Sequence, residues 1–349
     1  MENQKKIFFS LYFLSVLLTG CQMVQGSTYH HQKRLSKLFV FGDSYADTGN
    51  ADKSASSWNI PYGITFPGKP SGRYSDGRVL TDYLASYLKI RSPLPYRFRK
   101  WGKGALRYGM NFAYGGTGVF QTYAPLYPNM TIQIDFLQKL IKDRVYTKQD
   151  LSSSVAHVSV AGNDYATYTL RNGTAKGIPA FITSVVSQLT LNLKRIHSLG
   201  VRKITVTALP PFGCLPSSTI GSSYQICTRD QNQLVNSHNQ LLQQVVANLN
   251  NSTKDSTFII LDLNSTFMSA FKSQGKQPGS LKFEKPLTPC CVGTSSQHSC
   301  GDIDENGVKK YTICKNPNSA FFWDSLHPTQ QGWFAVYSAL RGALDQLTY

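Results

Sequence analysis

Short strand-forming runs and longer stretches of helical periodicity alternate along this chain. Five runs are rich in strand-forming residues and are bounded by turn or helical segments. The first, Leu38–Phe41, is apolar throughout, which favours a strand buried on both faces. The predicted strands are Leu38–Phe41, Gly109–Ala113, Val155–Val160, Lys203–Leu209 and Thr257–Leu263.

Five longer stretches are predicted to be helices. In the second of them the apolar residues Ile134, Leu137, Leu140 and Ile141 fall on one helical face. The predicted helices are Arg78–Ile90, Thr131–Arg144, Ile178–Leu199, Arg229–Leu249 and Thr329–Leu347. Strands separated mostly by helices predict an α/β fold with a parallel sheet covered on both faces.

The first 26 residues have the pattern of a secretory signal peptide. Lys5 and Lys6 precede an apolar run that is too short to span a bilayer comfortably, and small residues follow up to Gly26. We therefore expect a signal peptide over 1–26 and one domain over 27–349, secreted to the extracellular space. The alternative is a lipoprotein site with Cys21 as lipid acceptor. No later run could form a transmembrane segment, so a soluble mature chain is expected.

Sequons and cysteines agree with the secretory pathway. N-glycosylation sequons begin at Asn129, Asn172, Asn250, Asn251 and Asn264, and the overlap of Asn250 with Asn251 favours use of only one. The mature chain keeps six cysteines, an even number that favours disulfides: Cys214, Cys227, Cys290, Cys291, Cys300 and Cys314. Proximity predicts a Cys214–Cys227 bond. The pairing of the other four stays open, although adjacent cysteines are not expected to bond to each other.

The chain is basic, with a formal net charge of +17 that falls to +16 when Glu2, Lys5 and Lys6 leave with the signal peptide. Six cations form an acid-free run mixed with aromatic residues: Arg91, Arg97, Arg99, Lys100, Lys103 and Arg107. In a secreted protein such a run favours an anionic polysaccharide or a membrane surface over nucleic acid. A solvated loop is the simpler interpretation.

Three apparent ligand sites are rejected. Gly115–Gly118 lacks the spacing of a dinucleotide-binding loop. Asp302–Gly307 imitates the start of a calcium loop, but Ile313 stands where that loop needs glutamate. Cys290, Cys291, His298 and Cys300 could be drawn as zinc ligands, yet disulfides are favoured in an oxidising compartment. Neither a metal nor a cofactor is therefore expected.

Polar residues follow the predicted strands at several points. Ser44 comes after the first strand, a glycine pair that includes Gly116 after the second, and Asn163 after the third. Asp324 and His327 lie three residues apart, just before the last helix. A nucleophile, a base, an orienting carboxylate and oxyanion donors are the inventory that acyl transfer needs.

These segments resemble, in order, four sequence blocks of the GDSL esterase/lipase (SGNH-hydrolase) family. The matching segments are Phe41–Ser44 with Asp47, Gly49 and Asn50, then Asn111–Gly116, Gly162–Asp164 and Asp324–Pro328. The loop Ser57–Asp82 is similar to the plant branch of the family. Two departures are Ala161, where the family usually has glycine, and Thr117, where alanine is common.

The resemblance implies a role for each residue and a fold. Ser44 matches the nucleophile, His327 the general base and acid, and Asp324 the residue that orients the histidine. The N–H groups of Ser44 and Gly116 and the amide of Asn163 match the oxyanion donors. The implied fold is a flavodoxin-like three-layer α/β/α sandwich with five parallel strands. The serine does not lie in a G-x-S-x-G elbow, so an α/β-hydrolase lipase is excluded.

The sequence therefore predicts a secreted serine hydrolase that cleaves carboxylic esters of small molecules, lipids or polysaccharides through an acyl-enzyme. Two alternatives remain open. An acyltransferase or polysaccharide O-deacetylase would use the same three residues. A noncatalytic wall-binding or defence protein would not need Ser44, Asn163 and His327 together.

Overall fold

The computed structural model describes residues 35–122, 126–253, 257–273, 275 and 281–348. From Leu35 onward the chain forms one compact unit. The predicted signal peptide and the alternative lipid acceptor Cys21 lie outside the described residues. Among the residues that are described, no helix is both long and apolar enough to cross a bilayer.

Six parallel strands form the central sheet, in the spatial order β2-β3-β1-β4-β5-β6. They are β1 (Lys37–Gly42), β2 (Leu94–Pro95), β3 (Gly109–Asn111), β4 (Ser154–Ser159), β5 (Lys203–Ala208) and β6 (Phe258–Asp262). The predicted α/β class with a parallel sheet is confirmed, but the predicted number of five strands is wrong by one. The missed strand, β2, is two residues long, lies at the sheet edge and contains a proline, so it has no recognisable strand pattern.

Ten α-helices surround this sheet in the described part of the chain. They are α1 (Leu80–Tyr87), α2 (Met130–Lys142), α3 (Lys148–Ser152), α4 (Gly162–Leu170), α5 (Ile178–Ser198), α6 (Pro216–Thr219), α7 (Arg229–Thr253), α8 (Leu263–Lys272), α9 (Gln330–Ala339) and α10 (Arg341–Asp345). The prediction of a single final helix over Thr329–Leu347 is wrong, because the helix is interrupted at Leu340, between α9 and α10. Thr329 starts α9 by accepting a hydrogen bond from Gly332 N–H at 2.9 Å.

The alternation of side chains along β1 divides the core into two layers. Phe39 and Phe41 pack into a cluster with apolar residues of α2, α5 and α7, whereas Leu38 and Val40 pack into a second cluster with residues of α1, α8 and α9. Both faces of the sheet are therefore covered by helices, which confirms the three-layer α/β/α arrangement.

Three disulfides join the six cysteines of the described chain. Cys214 is bonded to Cys227, as their proximity predicts, and the pairing left open is Cys290–Cys314 and Cys291–Cys300. The last two bonds surround a small antiparallel ribbon of β7 (Cys291–Gly293) and β8 (Tyr311–Ile313). Their cysteines pack with Tyr62, Tyr311 and Trp323 in a third buried cluster, which we call the disulfide cluster.

The structure gives the sequons different surroundings. The Asn250 side chain is bonded twice to the start of β6: its amide nitrogen donates to Phe258 O and its oxygen accepts from Phe258 N–H, both at 2.8 Å. Asn251 is exposed, so of the two overlapping sequons it is the more accessible. Asn172 is also exposed, and Asn129 caps α2 by accepting from Ile132 N–H. Use of these sequons, and of the one at Asn264, stays a prediction.

Candidate active site

The end of β1 positions Ser44. β1 lies between β3 and β4, so the chain leaves β1 for β2 and β3 on one side and later returns to β4 on the other. Such a switch point is where open α/β sheets bind ligands. Gly42 has a φ of +149°, and a Cβ atom there would lie 2.2 Å from the carbonyl oxygen of Ser159, so only glycine fits. The next N–H, of Asp43, donates to that same oxygen at 3.0 Å. This turns the chain out of the sheet and leaves Ser44 at its rim.

Ser44, His327 and Asp324 form one continuous hydrogen-bonded chain. Ser44 Oγ lies 2.8 Å from His327 Nε2, although the two residues are 283 positions apart. The other ring nitrogen, His327 Nδ1, lies 2.9 Å from both carboxylate oxygens of Asp324. A carboxylate at Nδ1 favours the tautomer that carries its proton there and leaves Nε2 able to accept from the serine.

Asp324 is buried but well supplied with donors. Its Oδ1 accepts from the N–H groups of Leu326 and His327 at 2.9 and 2.8 Å, and its Oδ2 accepts from the Tyr62 hydroxyl at 2.7 Å. Burial by itself raises the pKa of Asp324, but the charge of His327 and the hydrogen bonds from the His327 ring and from the N–H groups of Leu326 and His327 outweigh it and hold the pKa below its ordinary value. The carboxylate is therefore kept ionised beside the imidazole.

The loop after β3 is held against the loop after β1 by Asp47. One carboxylate oxygen accepts from Gly49 and Asn50 N–H, each at 2.7 Å. The other accepts from Ala51 and Gly115 N–H, each at 3.0 Å. The bond to Gly115 sets the position of the residue that follows it, Gly116, whose φ is +83°.

Asn163 lies in the first turn of α4 and reaches back to this same loop. Its side-chain Nδ2 donates to Thr117 O at 2.9 Å, which fixes the orientation of the amide. Its neighbour Asp164 accepts from the N–H groups of Val119 and Phe120 at 3.0 and 2.9 Å. The start of α4 and the loop that carries Gly116 are thus joined. Ala161 precedes α4 with a negative φ of −156°, which does not require glycine, so the absence of the usual glycine has no evident cost.

A cavity of about 270 Å³ opens beside these groups. Ser44, Asn163 and His327 line it, whereas Gly116 is not among its lining residues. Most of the remaining wall is apolar and comes from the ends of β4 and β5, from α4 and from α7: Val160, Tyr165, Leu209, Pro210, Phe212, Leu215 and Leu234. Sequence reasoning missed this wall, because its residues look like ordinary core positions.

Asp43, next to Ser44, also lines the cavity and is buried. Burial raises its pKa to about 7, in spite of a hydrogen bond from Tyr45 N–H and the nearby charge of His327. The carboxyl group is thus partly protonated near neutral pH, unlike that of Asp324.

Two further residues support the site without any sequence signal that marked them. Gln133 of α2 accepts from Gly42 N–H at 2.8 Å and donates to Gly42 O at 2.9 Å, which anchors the end of β1. Tyr62 belongs to the loop Ser57–Asp82. Only its position in the plant-type segment Ser57–Asp82 could have drawn attention to it.

In two of the three rejected ligand sites, several of the side chains are bonded to other groups. Cys290, Cys291 and Cys300 are all in disulfides. In the calcium-like loop, Asp304 forms an ion pair with Lys310 at 2.8 Å and Asp302 accepts from Ser299 N–H at 2.7 Å. Within the described ranges, no group of three or more His, Cys, Asp or Glu side chains is arranged to hold a metal ion.

The predicted basic run divides into two parts. Arg97 donates to Ala51 O and is half-buried, and Arg99 stacks on the ring of Tyr96, 4.0 Å from its centroid. The remaining four cations are exposed, as is the neighbouring Trp101: Arg91, Lys100, Lys103 and Arg107.

In this α/β protein the serine that follows β1 is thus hydrogen-bonded to a histidine and an aspartate from the turn before α9. Comparison with known proteins identifies the family. Residues 38–340 match the family described as GDSL-like Lipase/Acylhydrolase. The chain belongs to this family and is, in class, a carboxylic-ester hydrolase.

Relatives of high similarity are plant proteins. One GDSL esterase/lipase of Arabidopsis thaliana is 57% identical, over 99% of this chain and 98% of its own length. A second is 54% identical over 90% of each chain. Among solved structures, an acetylxylan esterase from Geobacillus stearothermophilus is similar with a TM-score of 0.41 and 12% identity, over 88% of this chain and 94% of that one. That likeness is too low to bear on function.

Proposed function

We propose that this protein is a secreted serine hydrolase that cleaves carboxylic esters through Ser44, His327 and Asp324. The observation that carries the proposal is the 2.8 Å contact between Ser44 Oγ and His327 Nε2, with Nδ1 held by the Asp324 carboxylate. Nucleophile, base and orienting group are then within hydrogen-bond reach of one another, as nucleophilic catalysis requires.

In the proposed first step, Ser44 Oγ attacks the ester carbonyl carbon while its proton passes to His327 Nε2. The imidazolium that forms is stabilised by the ionised Asp324. The protonated histidine then gives its proton to the departing alcohol oxygen, and the acyl group remains on Ser44.

In the second step, water takes the place of the alcohol. His327 Nε2 accepts a proton from water as the water oxygen attacks the acyl carbon. The bond from the acyl carbon to Ser44 Oγ then breaks, and the histidine returns its proton to Ser44 Oγ, which releases the carboxylic acid and free Ser44. In both steps the carbonyl oxygen becomes negative. The N–H groups of Ser44 and Gly116 and the amide of Asn163 are the proposed donors to it.

The apolar wall of the cavity supports an ester with an apolar moiety. A second cavity, of about 640 Å³ between α5 and α7, adjoins the first, and Gln231 and Leu234 line both. Such a site favours substrates in proportion to the apolar area they bury.

We also propose that the protein acts outside the cell. Three disulfides suit an oxidising compartment, and the predicted signal peptide would direct it there. The four exposed cations of the basic run would favour an anionic polysaccharide or membrane surface as the place of action. Fusion of residues 1–26 to a reporter tests the first claim: retention of the reporter inside cells would contradict it.

The decisive experiment is a panel of esters of increasing acyl length, assayed with the parent, Ser44→Ala and Ser325→Ala. Ser325 is an exposed serine two residues before His327, so its variant controls for loss of a hydroxyl on the neighbouring loop. We expect Ser44→Ala to abolish turnover without unfolding and Ser325→Ala to keep it. Full activity in purified, folded Ser44→Ala would refute the mechanism.

Two further assays, one with added alcohol acceptors and one with other ester substrates, separate the hydrolase from the alternative functions. Added alcohols that yield new esters in preference to free acid would indicate an acyltransferase. Release of acetate from acetylated glycans, with no activity on longer acyl chains, would indicate a polysaccharide O-deacetylase. No turnover of any ester by the parent would favour a noncatalytic role.

A further inference from the structure

Tyr62 makes a hydrogen bond that the proposed mechanism does not yet use. Its hydroxyl donates to Asp324 Oδ2 at 2.7 Å, and both residues are buried, with exposed fractions of 3% and 7%. Bonds from a neutral donor to a buried carboxylate are among the stronger hydrogen bonds in proteins.

This bond differs from the others that Asp324 accepts. Three of its hydrogen-bond partners lie in the same short turn as Asp324: the N–H groups of Leu326 and His327 and the His327 ring. Among the described hydrogen bonds of this carboxylate, Tyr62 supplies the one that comes from elsewhere in the chain, 262 positions away. It therefore ties the turn that carries Asp324 and His327 to the loop in front of the sheet.

The phenol is itself held in place by the disulfide cluster. The Tyr62 ring packs edge-on against Trp323, with centroids 6.2 Å apart. Trp323 O accepts from Cys291 N–H at 2.7 Å, and Trp323 N–H donates to His327 O at 2.7 Å. Two disulfides thus brace both the tyrosine and the turn to which it donates.

We propose that Tyr62 is a positioning residue for the reaction: it fixes the Asp324 carboxylate so that His327 keeps Nδ1 on Asp324 and Nε2 on Ser44. This inference rests on the proposed function, because it assigns Tyr62 a role only through Asp324 and His327. Burial and the Asp324 charge raise the pKa of Tyr62 well above its ordinary value, so the hydroxyl remains a donor over the working pH range.

Removal of the hydroxyl changes the electrostatics in a defined direction. Without the Tyr62 hydroxyl, the Asp324 carboxylate accepts one hydrogen bond fewer. Its negative charge then acts more strongly on the His327 imidazole and favours the protonated ring. The other groups near the histidine are Asp43, Ser44, Tyr45 and Tyr74, and all of them stay. The acidic limb of the pH profile of kcat/KM should therefore move to higher pH.

The test compares Tyr62→Phe with Tyr311→Phe. Tyr311 belongs to the same cluster, and its hydroxyl donates to Ile60 O at 3.3 Å. Its variant therefore also loses one hydroxyl there, but one whose described partner is neither Asp324 nor His327. For Tyr62→Phe we expect kcat to fall about tenfold, KM to stay within about twofold, and the acidic limb to shift upward. For Tyr311→Phe we expect the parent's kcat and pH profile. Identical kinetics for the two variants would overturn the proposal.

A double-mutant cycle distinguishes positioning from packing. If Tyr62 acts through Asp324, Tyr62→Phe has no further effect on kcat in an Asp324→Asn background; the full tenfold loss in that background would refute the proposal. NMR of ¹³C-labelled tyrosine gives a readout that does not depend on the folding of Tyr62→Phe, because it compares the parent with Asp324→Asn. The chemical shift of the Tyr62 ring carbon that bears the hydroxyl should change in Asp324→Asn, and that of Tyr311 should not. An unchanged Tyr62 shift would also refute the proposal. The failure of the proposed function has a separate signature, namely full activity in Ser44→Ala.

Discussion

Replacement of Asn163 by alanine should damage catalysis far more than stability. The amide is proposed to donate to the carbonyl oxygen when that oxygen becomes negative, so its loss should lower kcat rather than raise KM. Deletion of one oxyanion donor typically costs about 10²–10³ in kcat, which corresponds to about 2.7–4 kcal/mol of transition-state stabilisation. We expect an effect of this size in Asn163→Ala.

The structural contribution of the same side chain is smaller. Asn163 makes a 2.9 Å bond to Thr117 O, and loss of one such neutral hydrogen bond costs about 1 kcal/mol of folding free energy. In a chain of this size that lowers the thermal midpoint by no more than about 4 °C. The two effects therefore differ enough to be separated in one preparation.

The assay measures kcat, KM and the thermal midpoint of Asn163→Ala and Asn163→Asp on one short ester. The aspartate variant should lose at least as much kcat, because its carboxylate would repel the developing oxyanion. A lowered midpoint with normal kcat in Asn163→Ala would show that the amide only joins α4 to the loop at Thr117, and the oxyanion assignment would be refuted.

Two further predictions concern stability. The Cys290–Cys314 bond spans 24 positions and encloses a second bond that spans 9. It therefore closes an effective loop of roughly 15 residues, and the double variant Cys290→Ser, Cys314→Ser should lose about 3 kcal/mol of unfolding free energy. Unchanged urea denaturation would contradict this. Asp43, with its pKa raised by burial to about 7, contributes stability that is full below about pH 4 and is lost as the pH rises through 7. The unfolding free energy of Asp43→Asn should therefore rise relative to that of the parent by up to about 1.4 kcal/mol for each pH unit between pH 5 and pH 7. A constant difference between the thermal midpoints of the two proteins over this range would refute the raised pKa of Asp43.

Local pattern sufficed for much of the fold. The five principal strands are displayed directly as short runs of strand-forming residues. The helices α2, α5 and α7 are displayed as a helical periodicity, because burial of one helical face imposes it. Some elements were not predicted. Strand β2 is only two residues long, and helix α4 begins with Gly162 and Asn163, which favour turns over helices. Leu340, where the last helix breaks, has no feature that a single sequence would reveal.

The chemical residues are a different case. Ser44, Asn163, Asp324 and His327 were recognisable because they follow strands or precede a helix in the order of a known family. Their roles stay predictions until the variants are measured.

What the sequence by itself determined was therefore the fold class and the candidate catalytic residues, together with the six cysteines that follow the predicted signal peptide. Tertiary structure alone decided the pairing of the last four cysteines, the half-burial of Arg97 and the bond from Tyr62 to Asp324. The physical reason is the range of the interactions. Periodicity records which side of an element is buried, whereas a contact between residues 262 positions apart depends on how the chain folds back on itself, and no local pattern encodes it.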